Sequence, residues 1–281
     1  KSGRADRRGG NRIAIFLLGT WAVSWALGSR HWFDVNEETN RFFRLLALAL
    51  LNVGFTWLFY LALEPFVRRQ SPDTLIGWTR LLVGHLRDPR VGRDILIGVA
   101  SGVLFALVAS LDAVLPLLTG APPEQPRTSD MAYFMGGRYA IADMLRVLAN
   151  ALQNAMLGTF TFVIVLAIVR RQWLAATLVL VLVCGLIVAD ADIRNIWFAV
   201  GRVAVLGALL IAVFLRFGLL ALASALYVNA VLHAVPLTID LSRPHAGVST
   251  VAILLVAALA VYGFRVSGAG AGMFRRLFAV P

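Results

Sequence analysis

Long apolar runs dominate the chain, broken by short segments that carry arginine, proline or glycine. A helix crossing a bilayer needs about 20 predominantly apolar residues, and about 17 can suffice. Runs that meet or approach this length cover residues 13–28, 45–63, 95–111, 149–169, 173–188, 196–215, 219–235 and 248–264. The alternation expected of elements half-buried in one water-soluble core does not organise them. The sixth and seventh runs need a break, because an unbroken helix over 196–235 would be about 60 Å long, twice the hydrocarbon core. Arg216-Phe217-Gly218 is the polar, flexible point where it falls. The pattern predicts an all-α, polytopic membrane bundle of about eight transmembrane helices. Residues 1–12 form a basic linker, 13–264 the transmembrane domain and 265–281 a tail.

Residues 64–94 predict a further element. Proline cannot donate to the helical ladder and clashes one turn back, so Pro65 should end the second span. Ser71-Pro72-Asp73 then reads as a helix start. From Thr74 to Arg87, Leu75, Trp78, Leu82 and Leu86 share one face, with Arg80 and Arg87 opposite. Such a helix lies in the headgroup plane with tryptophan inward and arginine toward phosphate. It can also be docked on the cytoplasmic ends of the other spans, and the two readings are not exclusive. Arg68, Arg69, Arg80, Arg87, Arg90 and Arg93 are the candidate headgroup-facing residues. Residues 120–130, with Pro122, Pro123 and Pro126, read as an irregular loop, and 131–148 as a second surface helix leading into the fourth span.

Composition agrees with lipid as the solvent. Hydrophobic residues make up 59% of 281 positions and charged ones 15%, where soluble domains average nearer half and a quarter. The formal net charge is +11. If the eight runs alternate from an inside N-terminus, most Lys and Arg residues fall on one side and most acidic residues on the other. Positive charge is retained in the cytoplasm, so both termini are expected there, at a bacterial inner membrane. Basic loops beside a membrane need no nucleic acid, and the expected partners are the bilayer and its anionic headgroups. Cys184, the single cysteine, lies in an apolar run, which leaves no disulfide framework. The first residue is Lys1 and no signal-peptide pattern precedes Ile13, so a piece of a longer protein is expected.

Polar residues in a bilayer are costly and so become functional candidates. Asp143, Arg146, Asn150, Gln153, Asn154 and Gly158 recur at helical spacing and form one stripe expected to face the bundle. The stripe either lines a polar cavity for a small ligand or makes a hydrogen-bond seam, with Asp143 and Arg146 paired at i, i+3. Asn229 and His233, at i, i+4 in the seventh run, suit an interhelical hydrogen bond better than a metal site, since no further histidine clusters with them. Gly98 and Gly102 form a small-xxx-small patch for close helix packing. Glu37-Glu38 with Arg41 falls short of the paired-glutamate pattern of intramembrane proteases, its arginine one residue too close. No catalytic or metal-binding motif is present, so no catalytic residue, metal or cofactor is assigned.

Three stretches resemble a known family: Tyr60-Leu-Ala-Leu-Glu-Pro-Phe-Val-Arg-Arg69, Thr74-Leu-Ile-Gly-Trp-Thr-Arg-Leu-Leu82 and Arg87-Asp-Pro-Arg-Val-Gly-Arg-Asp-Ile-Leu-Ile-Gly98. Together with Arg4–Gly9, Phe217–Leu222, Pro236–Ser242 and Val261–Ser267, they are similar to the C-terminal multi-pass membrane region of some bacterial serine/threonine protein kinases. The resemblance implies a kinase domain covalently joined ahead of Lys1, with ATP and Mg needed only there. The membrane region would then be a non-catalytic anchor with scope for a sensory or regulatory role. Two alternatives stand beside it. One is a small-molecule transporter or receptor using the fourth-run stripe; the other, weaker, is an intramembrane enzyme. The sequence leaves the oligomeric state open.

Overall fold

The computed structural model describes residues 6–29, 35–70, 73–111, 135–189, 196–238, 240, 242–243 and 245–268. Among these, the regular structure is all helix, in nine elements: α1 Arg7–Gly28, α2 Val35–Gln70, α3 Asp73–Val83, α4 Pro89–Ala109, α5 Gly137–Val169, α6 Gln172–Ala189, α7 Ile196–Phe217, α8 Leu219–Ala234 and α9 Ala246–Val266. Five stretches are long and apolar enough to cross a membrane: Val35–Ala62, Pro89–Ala109, Gly137–Val169, Val200–Phe217 and Ala246–Val266. Large apolar side chains such as Ile15, Ile168 and Leu254 point outward, a surface suited to lipid. The chain is a membrane-embedded helical bundle.

Each predicted run lies in a helix, but several boundaries move. Helix α1 begins at Arg7, inside the stretch expected to be a linker, because the Asp6 side chain caps it by accepting from the Gly9 N–H at 3.0 Å. Pro65 does not end α2, which continues to Gln70. Glu64 and Val67, on either side of the proline, are both buried against neighbours, and packing of this kind holds a helix across the one bond that proline removes. The Glu37–Arg41 stretch expected in a loop is the start of α2, paired at 3.3 Å. Residues 137–148 are not a separate surface helix but run without a break into α5, which contains no proline. The expected start at Ser71-Pro72 and the loop at 120–130 lie outside the described residues, as does most of the tail.

Helix α3 stops at Val83, four residues before Arg87. Gly84 has φ +95°, and the His85 N–H reaches the Arg80 carbonyl while the Gly84 N–H reaches that of Leu81. This paired arrangement closes a helix on a left-handed glycine. The helix is docked: Leu75 and Trp78 are 4% and 3% exposed, packed in the main apolar cluster.

The predicted break between the sixth and seventh runs is present. Gly218 separates α7 from α8 with φ 87° and ψ −169°, a region that only glycine adopts readily. The turn is pressed onto the backbone of Thr74 in α3. Helix α8 forms the centre of the bundle and packs most extensively on α4. A Cβ on Gly98 would meet the Ser224 Cβ at 2.5 Å, and one on Gly102 would meet the Ala225 carbonyl oxygen at 2.6 Å. The small-xxx-small patch is thus where two backbones approach closely.

Candidate functional site

Contacts gather α3, the start of α1, the ends of α2 and α9 and the α7–α8 turn at one end of the bundle. Here the Asp6 N–H donates to Glu64 Oε2 at 3.1 Å and the Tyr60 hydroxyl to Asp6 Oδ2 at 3.2 Å, fastening the start of α1 to the end of α2. Arg12 Nη1 donates to the Leu82 carbonyl at 2.7 Å, so a guanidinium satisfies a carbonyl of the last turn of α3. The Tyr262 hydroxyl donates to the Leu86 carbonyl, tying the end of α9 to the same corner. The start of α1 and the end of α9 therefore lie at one end of the molecule.

Arginines concentrate at this end, and they divide into two groups. Arg80 pairs with Asp88, and Arg93 pairs with the buried Asp94 at 3.1 Å. The Arg80 hydrogen bond holds the Asp88 carboxyl below the usual carboxylate range. Asp88 also caps α4, accepting from the Arg90 N–H at 2.9 Å. The other carboxylate, Asp94, sits directly against Gly77, so α3 approaches α4 where a side chain at residue 77 would collide. Arg87, Arg90, Arg170, Arg171 and Arg216 are exposed, with no ion pair among the described residues. Of the six candidate headgroup-facing residues, Arg80 and Arg93 are thus engaged by carboxylates and Arg87 and Arg90 are open. The side chains of Arg68 and Arg69 lie outside the described residues.

At the same end is a notch with about 40 Å³ of free volume, bounded by Val67 of α2, Thr74 of α3, Phe162, Val163 and Leu166 of α5, Gln172 of α6, and Phe214 and Leu215 of α7. Phe162 and Phe214 meet edge to face, with centroids 5.4 Å apart. The turn between α5 and α6 is made by Arg170 at φ 58°, a left-handed conformation that disfavours any residue with a Cβ.

The stripe on α5 is divided: Asp143 and Gln153 are turned at least partly into the bundle, and the rest is open. Asp143 is 5% exposed and accepts from Arg146 at 2.8 Å, as the i, i+3 spacing predicts. Arg146, Asn150 and Asn154 are exposed, Gln153 is half-buried, and a Cβ on Gly158 would meet open space. At 100° per residue, the stripe lies beside the face of Ala151, Ala155, Thr159 and Phe162, which are buried, with Gly158 only about 20° from Ala151. Measured from Val169 at 1.5 Å per residue, Asn154 is about 23 Å up the helix and Asn150 about 28 Å. Against a hydrocarbon core of about 30 Å, Asn150 comes close to the far edge while Asn154 stays about 7 Å inside it.

Asn229 and His233 do not pair either. Asn229 Oδ1 is buried without a hydrogen-bond partner among the described residues, and His233 is exposed at the end of α8. The residues that sequence reasoning missed are those of the fastened end: Asp6, Tyr60, Glu64, Arg12, Tyr262 and the left-handed Arg170. Only Asp6 carried a local signal, standing at capping position ahead of a long helix. The other contacts join residues 54 to 176 positions apart. No protein-family model, no curated protein and no solved structure matches the chain.

Proposed function

We propose that the chain is a non-catalytic membrane domain of about eight spans that anchors a serine/threonine protein kinase joined ahead of Lys1. In this reading its arginine-bearing end faces the cytoplasm of a bacterium across the inner membrane. One observation carries it: the start of α1 is fastened at the arginine-bearing end by Asp6, Tyr60 and Glu64. A domain leading into α1 would emerge on that side, which the retention of positive charge assigns to the cytoplasm, beside ATP. The resemblance over residues 60–98 supplies the kinase. Besides the five long stretches, α1, α6 and α8 make up the eight; α8, at about 24 Å, is enclosed by its neighbours and need not match the bilayer by itself.

The fastened junction leaves scope for regulation, since a shift of α2 or α3 would reach the incoming chain through Glu64 and Arg12. A transporter or receptor working through the α5 stripe is the second reading, and the exposure of Asn150 and Asn154 weighs against it. Nothing among the described residues favours an intramembrane enzyme over it. Reporter fusions at Lys1 and Pro281 test the orientation, with cytoplasmic signals expected from both; a periplasmic signal at either end overturns it. The coding sequence upstream of Lys1 tests the rest. A kinase catalytic loop is expected there, and another kind of domain would end the kinase assignment while leaving the topology standing.

A further inference from the structure

We propose that the notch between α2, α3, α5, α6 and α7 is a binding site for one anionic phospholipid, whose phosphate rests on Arg171 and Arg216 while its acyl chains stay in the bilayer. The proposal goes beyond anchoring, which needs only diffuse attraction. It rests on the arginine-bearing end lying at a membrane surface, and not on what is joined ahead of Lys1.

Size decides the class of occupant. A notch of about 40 Å³ holds about three water-sized groups, whereas a soluble small-molecule ligand fills some 300–1,000 Å³. A lipid can use so small a recess because its bulk remains outside, and the ester and glycerol region alone needs seating. The floor suits that region: the Phe162–Phe214 pair and Leu166 are apolar, while Thr74 and Gln172 add polar groups at the margin.

Charge decides the headgroup. Arg171 precedes the lining residue Gln172 and Arg216 follows the lining residue Leu215, so both exposed arginines leave the backbone within one residue of the notch. Arg80 and Arg93 at the same end each have a carboxylate, but Arg170, Arg171 and Arg216 have none among the described residues. The Arg216 guanidinium lies 5.9 Å from the Phe217 ring centroid, a face-on contact that leaves its N–H groups available to phosphate. Arg170 holds the α5–α6 turn in a left-handed conformation where glycine or asparagine would be easier. Keeping arginine there sets consecutive cations beside the recess. Basic recesses between membrane helices are suited to anionic lipid headgroups.

The test uses the whole chain in detergent micelles, titrated with phosphatidylglycerol or phosphatidylcholine and read by native mass spectrometry. One retained phosphatidylglycerol is expected, with weak phosphatidylcholine binding. Affinity should fall on the order of tenfold or more in R171Q/R216Q but stay unchanged in R87Q/R265Q, which removes equal charge elsewhere. V163W, which fills the notch and leaves every arginine in place, should lose the lipid too. R171K/R216K should keep most of the binding and serves if the glutamine variant does not insert. Equal retention of both lipids, or unchanged binding in R171Q/R216Q, overturns the site. So does displacement by excess inorganic phosphate, which would mean a free-phosphate site only. Parallel loss in R87Q/R265Q would reduce the effect to diffuse charge.

Discussion

Helices α6 and α8 are both short and apolar, yet they have opposite fates. In α8, Leu219, Leu220, Ala221, Leu222, Ala223, Ala225, Val228 and Val231 are all buried. In α6, Ala175 and Val179 are buried but Trp173, Leu178, Val181 and Leu182 face outward. Hydrophobicity cannot separate the two, because lipid tails are as apolar as leucine. Small residues can. Helix α8 presents Ala221, Ser224 and Ala225 to Gly98 and Gly102 of α4, and the two backbones close on each other. Helix α6 offers mostly leucine and valine, and it packs on α5 and α7 alone among the stronger contacts. Steric fit, not aversion to water, selects the centre of this bundle.

The sharpest way to break the comparison is to exchange glycines for valine on both sides of it. G102V puts three carbons where the Ala225 carbonyl oxygen and the Val228 Cβ already lie under 3 Å from a Cβ position. Overpacking of this kind costs about 1–3 kcal/mol or more, so a large fall in thermal stability in detergent is expected, deepest in G98V/G102V. G158V and G185V meet open space and should stay within about 0.5 kcal/mol of the parent. Equal loss in both sets would mean that α8 is not a steric centre.

Next in size is the turn that leads into α8. G218A places a Cβ on a backbone at φ 87° and directly against Thr74. Strain at such a position costs about 1–3 kcal/mol, and the clash must also separate α8 from α3. Stability should fall clearly, with protease sensitivity appearing near Thr74; a silent G218A would show that the turn adapts.

These two sites also mark how far the sequence could be read. Gly218 and the Gly98/Gly102 patch were legible because each departs from its own surroundings: one breaks an overlong run, the others recur at helical spacing. The docking of Trp78 was not, because one amphipathic face serves lipid and protein equally well. The α5 stripe misled for a related reason. Its residues share a side of the helix, as the spacing says, but spacing does not tell how much of that side the neighbours cover: Asp143 is buried, and Asn150 and Asn154 are not. Pro65 misled because the rule against proline inside helices is local, whereas Glu64 and Val67 are held by distant residues.

A smaller effect is expected where the fastened end meets α2. Y60F removes one hydroxyl hydrogen bond to Asp6 from a buried ring, worth about 1 kcal/mol. Helix α2 should stay folded while exchange of the Arg7–Gly10 amides quickens, which would tie the start of α1 to this latch. No change in exchange would show that Asp6 is held by Glu64 alone.

The least of these effects is electrostatic and belongs to the α3–α4 corner. The Asp88 carboxyl is held below the usual range, chiefly by the Arg80 hydrogen bond and also by the Arg90 N–H. With a folded pKa below the unfolded one, the unfolded chain binds more protons as pH falls, so the contribution is present above the ordinary carboxylate value. It is lost as pH drops through the folded value. Between about pH 5 and about pH 3, amide exchange over residues 84–90 should quicken after correction for intrinsic rates. D88N separates the two roles of the residue, since asparagine keeps the helix cap but cannot form the ion pair. In D88N the corner should be slightly looser at neutral pH and its acid dependence absent. An acid response of equal size in D88N would assign it to another carboxylate and leave Asp88 a cap alone. The centre of the bundle, which G102V addresses, should show no response over the same range, because its fit is made of backbones and methyl groups.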